Sequence, residues 1–250
     1  MNLQNKQVRV ALIGAGGMGK RWAWAIRQTP QIHLTAVVDT DIKRAETVAQ
    51  DFKGCHPSTN WKRTLERKDI QAAIVVVPHK WLAPISRFAL MHGKHVLCEK
   101  PGALNTREII GVLQEAKKSR RRYMIGFNSR FFPGPATVKK LYDQRVIGKL
   151  LFIRARFGFG GRMGYEKEWR HKKEVSGGGI LIDQGVHIID LVRWFMGDVK
   201  VVGGLASQVF WKSKVEDNGF LLFENSKRQT AFIHVSWTQW DPMFSFEIYG

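Results

Sequence analysis

The pattern that most restricts the fold is an apolar run over residues 8–14, VRVALIG, that ends in a glycine loop, Gly14-x-Gly16-x-x-Gly19, and then opens a helix over residues 18–28. A short, continuously apolar run closing on glycines reads as a buried parallel strand. Each glycine has its own physical reason. Gly14 permits the tight turn out of the strand, Gly16 lets the backbone approach a pyrophosphate, and Gly19 lets the helix pack closely on the strand. The helix start, with Gly17 and Met18, presents unpaired N–H groups and partial positive charge to that phosphate.

Strand and helix signals then alternate. Residues 33–39 read as a second strand and 41–52 as a helix, followed by a short polar helix after Ser58-Thr59-Asn60 and the strand-like stretch 72–77. Residues 84–92 read as helix, 94–98 as strand, 106–119 as helix with Thr106 as its cap, and 123–126 as strand. This spacing predicts right-handed βαβ units and a doubly wound parallel sheet. Asp39 closes the second strand 20 residues after Gly19 (39 − 19). An acid there accepts hydrogen bonds from a ribose diol and repels a 2′-phosphate, so NAD is the expected cofactor. Lys43 and Arg44 can steady a phosphate and keep NADP open, and a helix cap is the alternative role for Asp39.

From Phe127 the texture changes. A helix over 135–144 and alternation over 150–159 precede a helix over 180–196. Four strand candidates follow, at 199–210, 219–224, 229–237 and 244–249, separated by polar turns such as Asp217-Asn218-Gly219. The pattern predicts two domains, 1–126 with an α/β Rossmann fold and 127–250 with an α+β fold around a largely antiparallel open sheet.

Composition limits the class. With 250 residues and 44% hydrophobic content the chain can bury a real core. No run approaches about 18 uninterrupted apolar residues, so no membrane span is expected. The N-terminus leads into the glycine loop, not a cleavage site. Two cysteines do not make a disulfide framework, which favours a reducing cytoplasm. Forty Lys and Arg against 21 Asp and Glu give a net charge of +19, enough to raise polyanion binding as a possibility. The cations are dispersed except for residues 117–122, which read as the solvated end of a helix. No nucleic-acid motif accompanies them, and no metal-ligand cluster stands out. Apart from Trp169, which precedes Arg170, the tryptophans read as packing, Trp22 and Trp24 in the first helix among them; His79, at a strand end, reads as exposed, with ligand contact as the alternative.

Two further places carry chemistry. Lys100 follows the strand 94–98, at the carboxyl edge where open α/β sheets bind ligands, and Pro101 fixes the turn after it. Its ammonium can hydrogen-bond a substrate hydroxyl, aid its deprotonation or hold a nicotinamide ribose; a solvated lysine is the alternative. Asp183, His187 and Asp190 are spaced i, i+4 and i+7, which puts them on one face of an α-helix. A carboxylate one turn away can orient the imidazole for proton transfer. A histidine on such a helix is otherwise a core residue, and Asp190 reads as a structural hydrogen-bonding partner.

Gly93-Lys94-His95-Val96-Leu97-Cys98-Glu99-Lys100-Pro101 resembles the G-K-H-V-x-x-E-K-P segment of the glucose-fructose oxidoreductase, myo-inositol dehydrogenase and MocA family (Gfo/Idh/MocA). The glycine loop, Gly126-Phe127-Asn128-Ser129-Arg130-Phe131, and Gly177-Gly178-Gly179-Ile180-Leu181-Ile182-Asp183-Gln184-Gly185-Val186-His187-Ile188-Ile189-Asp190 match three more of its motifs in order. The resemblance spans the whole chain. It implies an NAD(P)-dependent oxidoreductase acting on a sugar, cyclitol or sugar derivative, with Lys100, Asp183 and His187 catalytic. Cofactor-binding residues are expected at Gly14, Gly16, Gly17, Met18, Gly19, Asp39, Pro78, Glu99, Lys100 and Arg170. Lys100, Asn128, Arg130, Asp183 and His187 are the expected substrate contacts, a small-molecule sugar or polyol the expected partner, and no metal is expected. Where the family has T-P-x-x-x-H, this chain has Val77-Pro78-His79-Lys80-Trp81-Leu82, which removes the contact the Thr would make. Relatives continue with further strands and a helix beyond the equivalent of Gly250, so the second domain is expected to be C-terminally incomplete. A homo-oligomer, dimer or tetramer, is expected if that domain is complete. The rival readings are a noncatalytic dinucleotide-binding sensor or partner subunit, and a polyanion binder driven by charge.

Overall fold

The computed structural model describes residues 7–250; the reading of residues 1–6 as free of a leader lies outside them. The chain divides into two compact units, one ending at Gly126 and the other running Phe127–Gly250.

In the first unit β1 (Val8–Ile13), β2 (Ile32–Val38), β3 (His56–Ser58), β4 (Ala72–Val75), β5 (His95–Cys98) and β6 (Tyr123–Ile125) form one sheet in the order β3-β2-β1-β4-β5-β6. Every pairing is parallel. This is the doubly wound order, with the reversal beside β1. The strand β1 shows why the sheet needs cover on both sides. Ala11 and Ile13 join one apolar cluster with residues of α3 (Trp61–Glu66), α4 (His79–Met91) and α5 (Thr106–Ser119). Val10 and Leu12 join the other, with α1 (Gly17–Arg27) and α2 (Ile42–Ala49). Leu12 and Ile74 are almost wholly buried, each contributing about 1.5–3 kcal/mol of burial free energy.

Element starts depart from the sequence pattern where a neighbouring side chain caps better. Asn105, not Thr106, caps α5 and accepts from the Glu108 N–H at 3.0 Å, while Glu108 reaches back to the Leu104 N–H. The helix α4 begins at His79 with Pro78 as its N-cap and carries Pro84 inside it. His79 is consequently buried, against the exposed reading. Trp24 corrects the packing assignment in the opposite direction, with 67% of its surface exposed. The strand β3 has no apolar signature; only its pairing with β2 defines it.

The second unit is built on β7 (Phe152–Gly158), β8 (Val199–Ser207), β9 (Asn218–Asn225), β10 (Thr230–Ser236) and β11 (Met243–Tyr249), in the order β11-β7-β10-β9-β8. Three pairings are antiparallel and β7–β10 is parallel. The α-helices here are α6 (Pro133–Asp143), α7 (Lys173–Ser176) and α8 (Val186–Met196). Ile180, Ile188, Val192 and Phe195 pack with Ile153, Ala231, Ile233 and Val235 in one core. Phe152, Leu205, Leu222 and Phe232 are exposed. Asp217-Asn218-Gly219 is not a turn: Asn218 and Gly219 lie in β9, and the buried Asp217 accepts from the N–H groups of Val209, Phe210 and Trp211 at 3.0, 2.8 and 2.9 Å. Among the described residues one stretch, Lys173–Met196, has the length and hydropathy of a membrane span; it is broken at the triple glycine, and half of its most apolar 18 residues are buried within the unit.

Candidate functional site

The glycine loop is fixed by steric exclusion. Gly14 has φ 106°, and a Cβ there would lie 2.0 Å from the Val76 carbonyl oxygen. A Cβ on Gly19 would lie 2.1 Å from the Gly14 carbonyl oxygen. At Gly16 and Gly17 an added Cβ meets nothing within 4 Å. The N-terminus of α1 has Gly16 as its cap, no side-chain capping bond and no acid in its first turn, which includes Gly17, Met18 and Gly19. A phosphate therefore meets open N–H groups and the dipole's positive end, with no acid in the first helical turn. Asp39 lies beside the same loop. Its Oδ2 accepts from the Ala15 N–H at 2.8 Å and its Oδ1 from the Asp41 N–H at 3.0 Å. The cap of α2 is Asp41, which removes the capping alternative for Asp39. The Thr40 hydroxyl also donates to Oδ1 at 3.4 Å; a carboxylate has about four acceptor positions, so Asp39 keeps capacity to accept from a diol. This donor and acceptor set fits a dinucleotide.

At the end of β5, Glu99 accepts from the Trp22 indole N–H through Oε1 at 2.8 Å and from the Lys100 N–H through Oε2 at 3.3 Å. Trp22, read from sequence as packing alone, thus joins α1 to the segment carrying Lys100. Lys100 is half-buried, and its peptide bond to Pro101 is cis. Lys94, in the same motif, is buried; its Nζ donates to the carbonyls of Arg67 at 2.5 Å and Ile70 at 2.9 Å, and burial lowers its pKa. That lysine holds a loop. Pro78 follows β4 next to Val76 and Val77, which contact Gly14. Leu82, where the family pattern has His, is wholly buried in the core. Burial pushes the Cys98 thiol up to about 11, which suppresses any thiolate.

The second unit gathers another set. Asp183 and His187 are both buried. The helix expected over 180–196 is interrupted by a π-turn at Leu181–Gly185, and α8 follows it. Its wider i→i+5 repeat changes the angular relation between positions 183 and 187, so the i, i+4 face argument holds only past the turn. The Asp183 carboxylate lies 3.7 Å from Arg170 Nε and accepts from the Gln184 amide at 3.2 Å. Arg170 also pairs with Glu168 at 3.3 Å and stacks on Trp169. The His187 Nδ1 lies 3.4 Å from Ser129 Oγ, and Phe127 presents its ring edge-on to the imidazole. Ser129, buried in the 3-10 turn Asn128–Phe131, has no signal in the sequence beyond its variable place in G-F-N-x-R-F. Asn128 is exposed. Arg130 and Asp190 form a two-pronged ion pair, both contacts 2.6 Å, and Arg130 sits over Trp194. The same arginine lines a cavity of about 670 Å³ with Phe131, Lys139, Lys140 and Trp194.

Residues 8–127 match the model of the oxidoreductase family, NAD-binding Rossmann fold, and residues 136–250 match that of the GFO/IDH/MocA C-terminal domain. The chain belongs to the Gfo/Idh/MocA oxidoreductase family. Its first unit is that family's NAD-binding Rossmann domain. Levoglucosan dehydrogenase of Pseudarthrobacter phenanthrenivorans is 27% identical over 212 residues, which are 81% of this chain and 54% of that protein. Inositol 2-dehydrogenase 4 of Saccharopolyspora erythraea is 30% identical over 199 residues, 78% of this chain and 56% of that protein. The chain thus spans little more than half the length of these curated relatives. The crystal structure of GenD2 from gentamicin A biosynthesis, in complex with NAD, superposes with a TM-score of 0.91 at 26% identity, covering 100% of this chain and 71% of that one.

Proposed function

We propose that this Gfo/Idh/MocA protein is an NAD-dependent dehydrogenase that interconverts a secondary alcohol and a carbonyl on a sugar, cyclitol or sugar derivative, nucleotide-linked sugars included. The observation that carries the reading is the buried pair Asp183 and His187, set on the motif the family shares, in a chain whose other unit is an NAD-binding domain. A bound nicotinamide supplies the hydride acceptor or donor. Gly14, Gly16, Gly17, Met18 and Gly19 would hold its pyrophosphate, Asp39 the adenosine ribose, and Pro78, Glu99, Lys100 and Arg170 the remainder.

His187 takes the hydroxyl proton on oxidation and returns it on reduction. In the tautomer in which Nδ1–H donates to Ser129 Oγ, 3.4 Å away, Nε2 is the basic nitrogen. Asp183 orients the imidazole or binds a substrate hydroxyl, and Arg170 beside it stabilises the carboxylate. Lys100 polarises the reacting oxygen, and Asn128 and Arg130 bind substrate hydroxyls, Arg130 with the donors that Asp190 does not occupy. Asp39 favours NAD, with NADP open through Lys43 and Arg44. Oligomerisation through the exposed sheet residues and residence in a reducing compartment belong to the same reading.

The test mixes the purified protein with NAD or NADP and a panel of inositols, aldoses, anhydrosugars and sugar acids, following nicotinamide absorbance. Turnover that is lost in His187→Ala supports the reading. Turnover surviving intact in that variant removes His187 from its role. Cofactor binding without turnover on any substrate favours the sensor alternative, and retention on heparin without cofactor binding favours the polyanion binder.

A further inference from the structure

We infer that Glu216 is the positioning residue for the helix that carries Asp183 and His187. The inference rests on the role proposed above for His187. One side-chain oxygen of Glu216, Oε1, accepts from the Gly179 N–H at 2.9 Å and the Leu181 N–H at 3.2 Å, while the backbone carbonyl of the same residue accepts from the Ile180 N–H at 3.0 Å. Three consecutive N–H groups at the start of this helical segment therefore all end on one residue. Such groups have no partner within a helix, so an outside acceptor decides where the helix begins.

The contact is also steric. A Cβ on Gly179 would lie 1.8 Å from the Glu216 carbonyl oxygen and 2.9 Å from its nitrogen, so the glycine lets the helix start rest directly on the backbone of residue 216. The link to the candidate catalytic groups is short, because the Asp183 N–H donates to the Gly179 carbonyl at 3.0 Å. A shift of Gly179 thus reaches Asp183 through one hydrogen bond and His187 one turn later, across the π-turn. The other side of Glu216 is anchored. Asp217 is buried, fastens three N–H groups of the loop after β8, and receives the Trp237 N–H on its carbonyl at 2.7 Å. Glu216 is therefore a fixed acceptor that sets the start of the helix, and through it the direction of the two side chains.

The experiment compares wild type with Glu216→Gln, Glu216→Asp, Glu216→Ala and His187→Ala, using turnover with NAD, its pH profile and NMR of the 15N-labelled His187 ring. Gln keeps an acceptor oxygen at full reach; Asp keeps the charge but draws it back by one methylene. A displacement near 1 Å costs roughly 10²-fold in rate, so Glu216→Asp and Glu216→Ala are expected to lose about that much kcat with the KM for NAD unchanged, and Glu216→Gln to recover most of it. Wild-type kcat and pH profile in Glu216→Asp and Glu216→Ala, with His187→Ala inactive, overturn the inference and leave the proposed reaction standing. Turnover surviving in His187→Ala removes the reaction reading instead, and the ring spectrum then decides for Glu216. Unchanged His187 nitrogen shifts and titration in Glu216→Ala overturn it; a moved spectrum restored by Gln sustains it. Should the Ala variant not fold, the ranking of Asp below Gln replaces it, and Asp equal to Gln overturns the inference.

Discussion

Gly14 and Gly16 are the same residue two positions apart, held for unrelated reasons. Gly14 has a positive φ and no room for a Cβ, so Gly14→Ala is expected to destabilise the protein by about 3 kcal/mol, read from chemical denaturation. Gly16 is extended and its surroundings are open. Gly16→Ala is accordingly expected to leave the unfolding free energy within about 1 kcal/mol of wild type, while weakening NAD binding measured by calorimetry. A stability loss at Gly16 equal to that at Gly14 would contradict this division. Trp22→Phe removes the indole donor to Glu99 and is expected to cost about 1 kcal/mol, the partly exposed carboxylate recovering some hydration. The sequence showed the glycines and Asp39 because their spacing along the chain is itself the signal. It could not show Trp22, Ser129 or Glu216, whose partners lie 77, 58 and 37 residues away.

Among elements, the helix over residues 180–196 was legible as a helix but not as one with a π-turn, since an apolar period cannot register a single inserted residue. The loop between β8 and β9 departs from its sequence pattern for a related reason. Asp, Asn and Gly in succession are ordinary turn chemistry, yet Asp217 turns its acceptors back on Val209, Phe210 and Trp211, earlier in the same loop, and Asn218 enters a strand. Replacing the buried Asp217 by Ala leaves three N–H groups of a partly exposed loop without their carboxylate; a loss of about 2 kcal/mol and faster proteolysis within residues 208–213 are expected. Asp217→Asn, which retains one acceptor oxygen, is expected to lose less. Burial alone would raise the pKa of Asp217, but the N–H groups of Phe210, Val209 and Trp211 outweigh it and bring it below the usual carboxylate value of 3.8. This contribution is therefore present above that pH and lost as pH falls beneath it.

At the scale of the molecule, burial lowers the pKa of His95, His171 and His234, helped by Arg121 and Arg122 at His95 and by Arg156 at His234. His171 packs among Tyr165, Trp211 and Trp237, and neither of its ring nitrogens has a hydrogen-bond partner among the described residues. Each group binds its proton more readily unfolded, where its pKa is near 6.5, than folded. Stability is then complete above about pH 6.5 and falls as the pH drops toward the folded values. A melting temperature that declines from pH 7 to 5, less steeply in His171→Phe, is the expected result; a flat profile over that range would contradict it. The chain itself determined the doubly wound first unit, the glycine loop, the motif that carries Asp183 and His187, and the family, because those depend on the order and period of residues along the sequence. Tertiary structure alone decided that Glu99 leans on Trp22, that His187 faces Ser129 and that the helix start rests on Glu216. Those contacts join residues far apart in sequence, and hydrogen-bond geometry between distant side chains leaves no period to read.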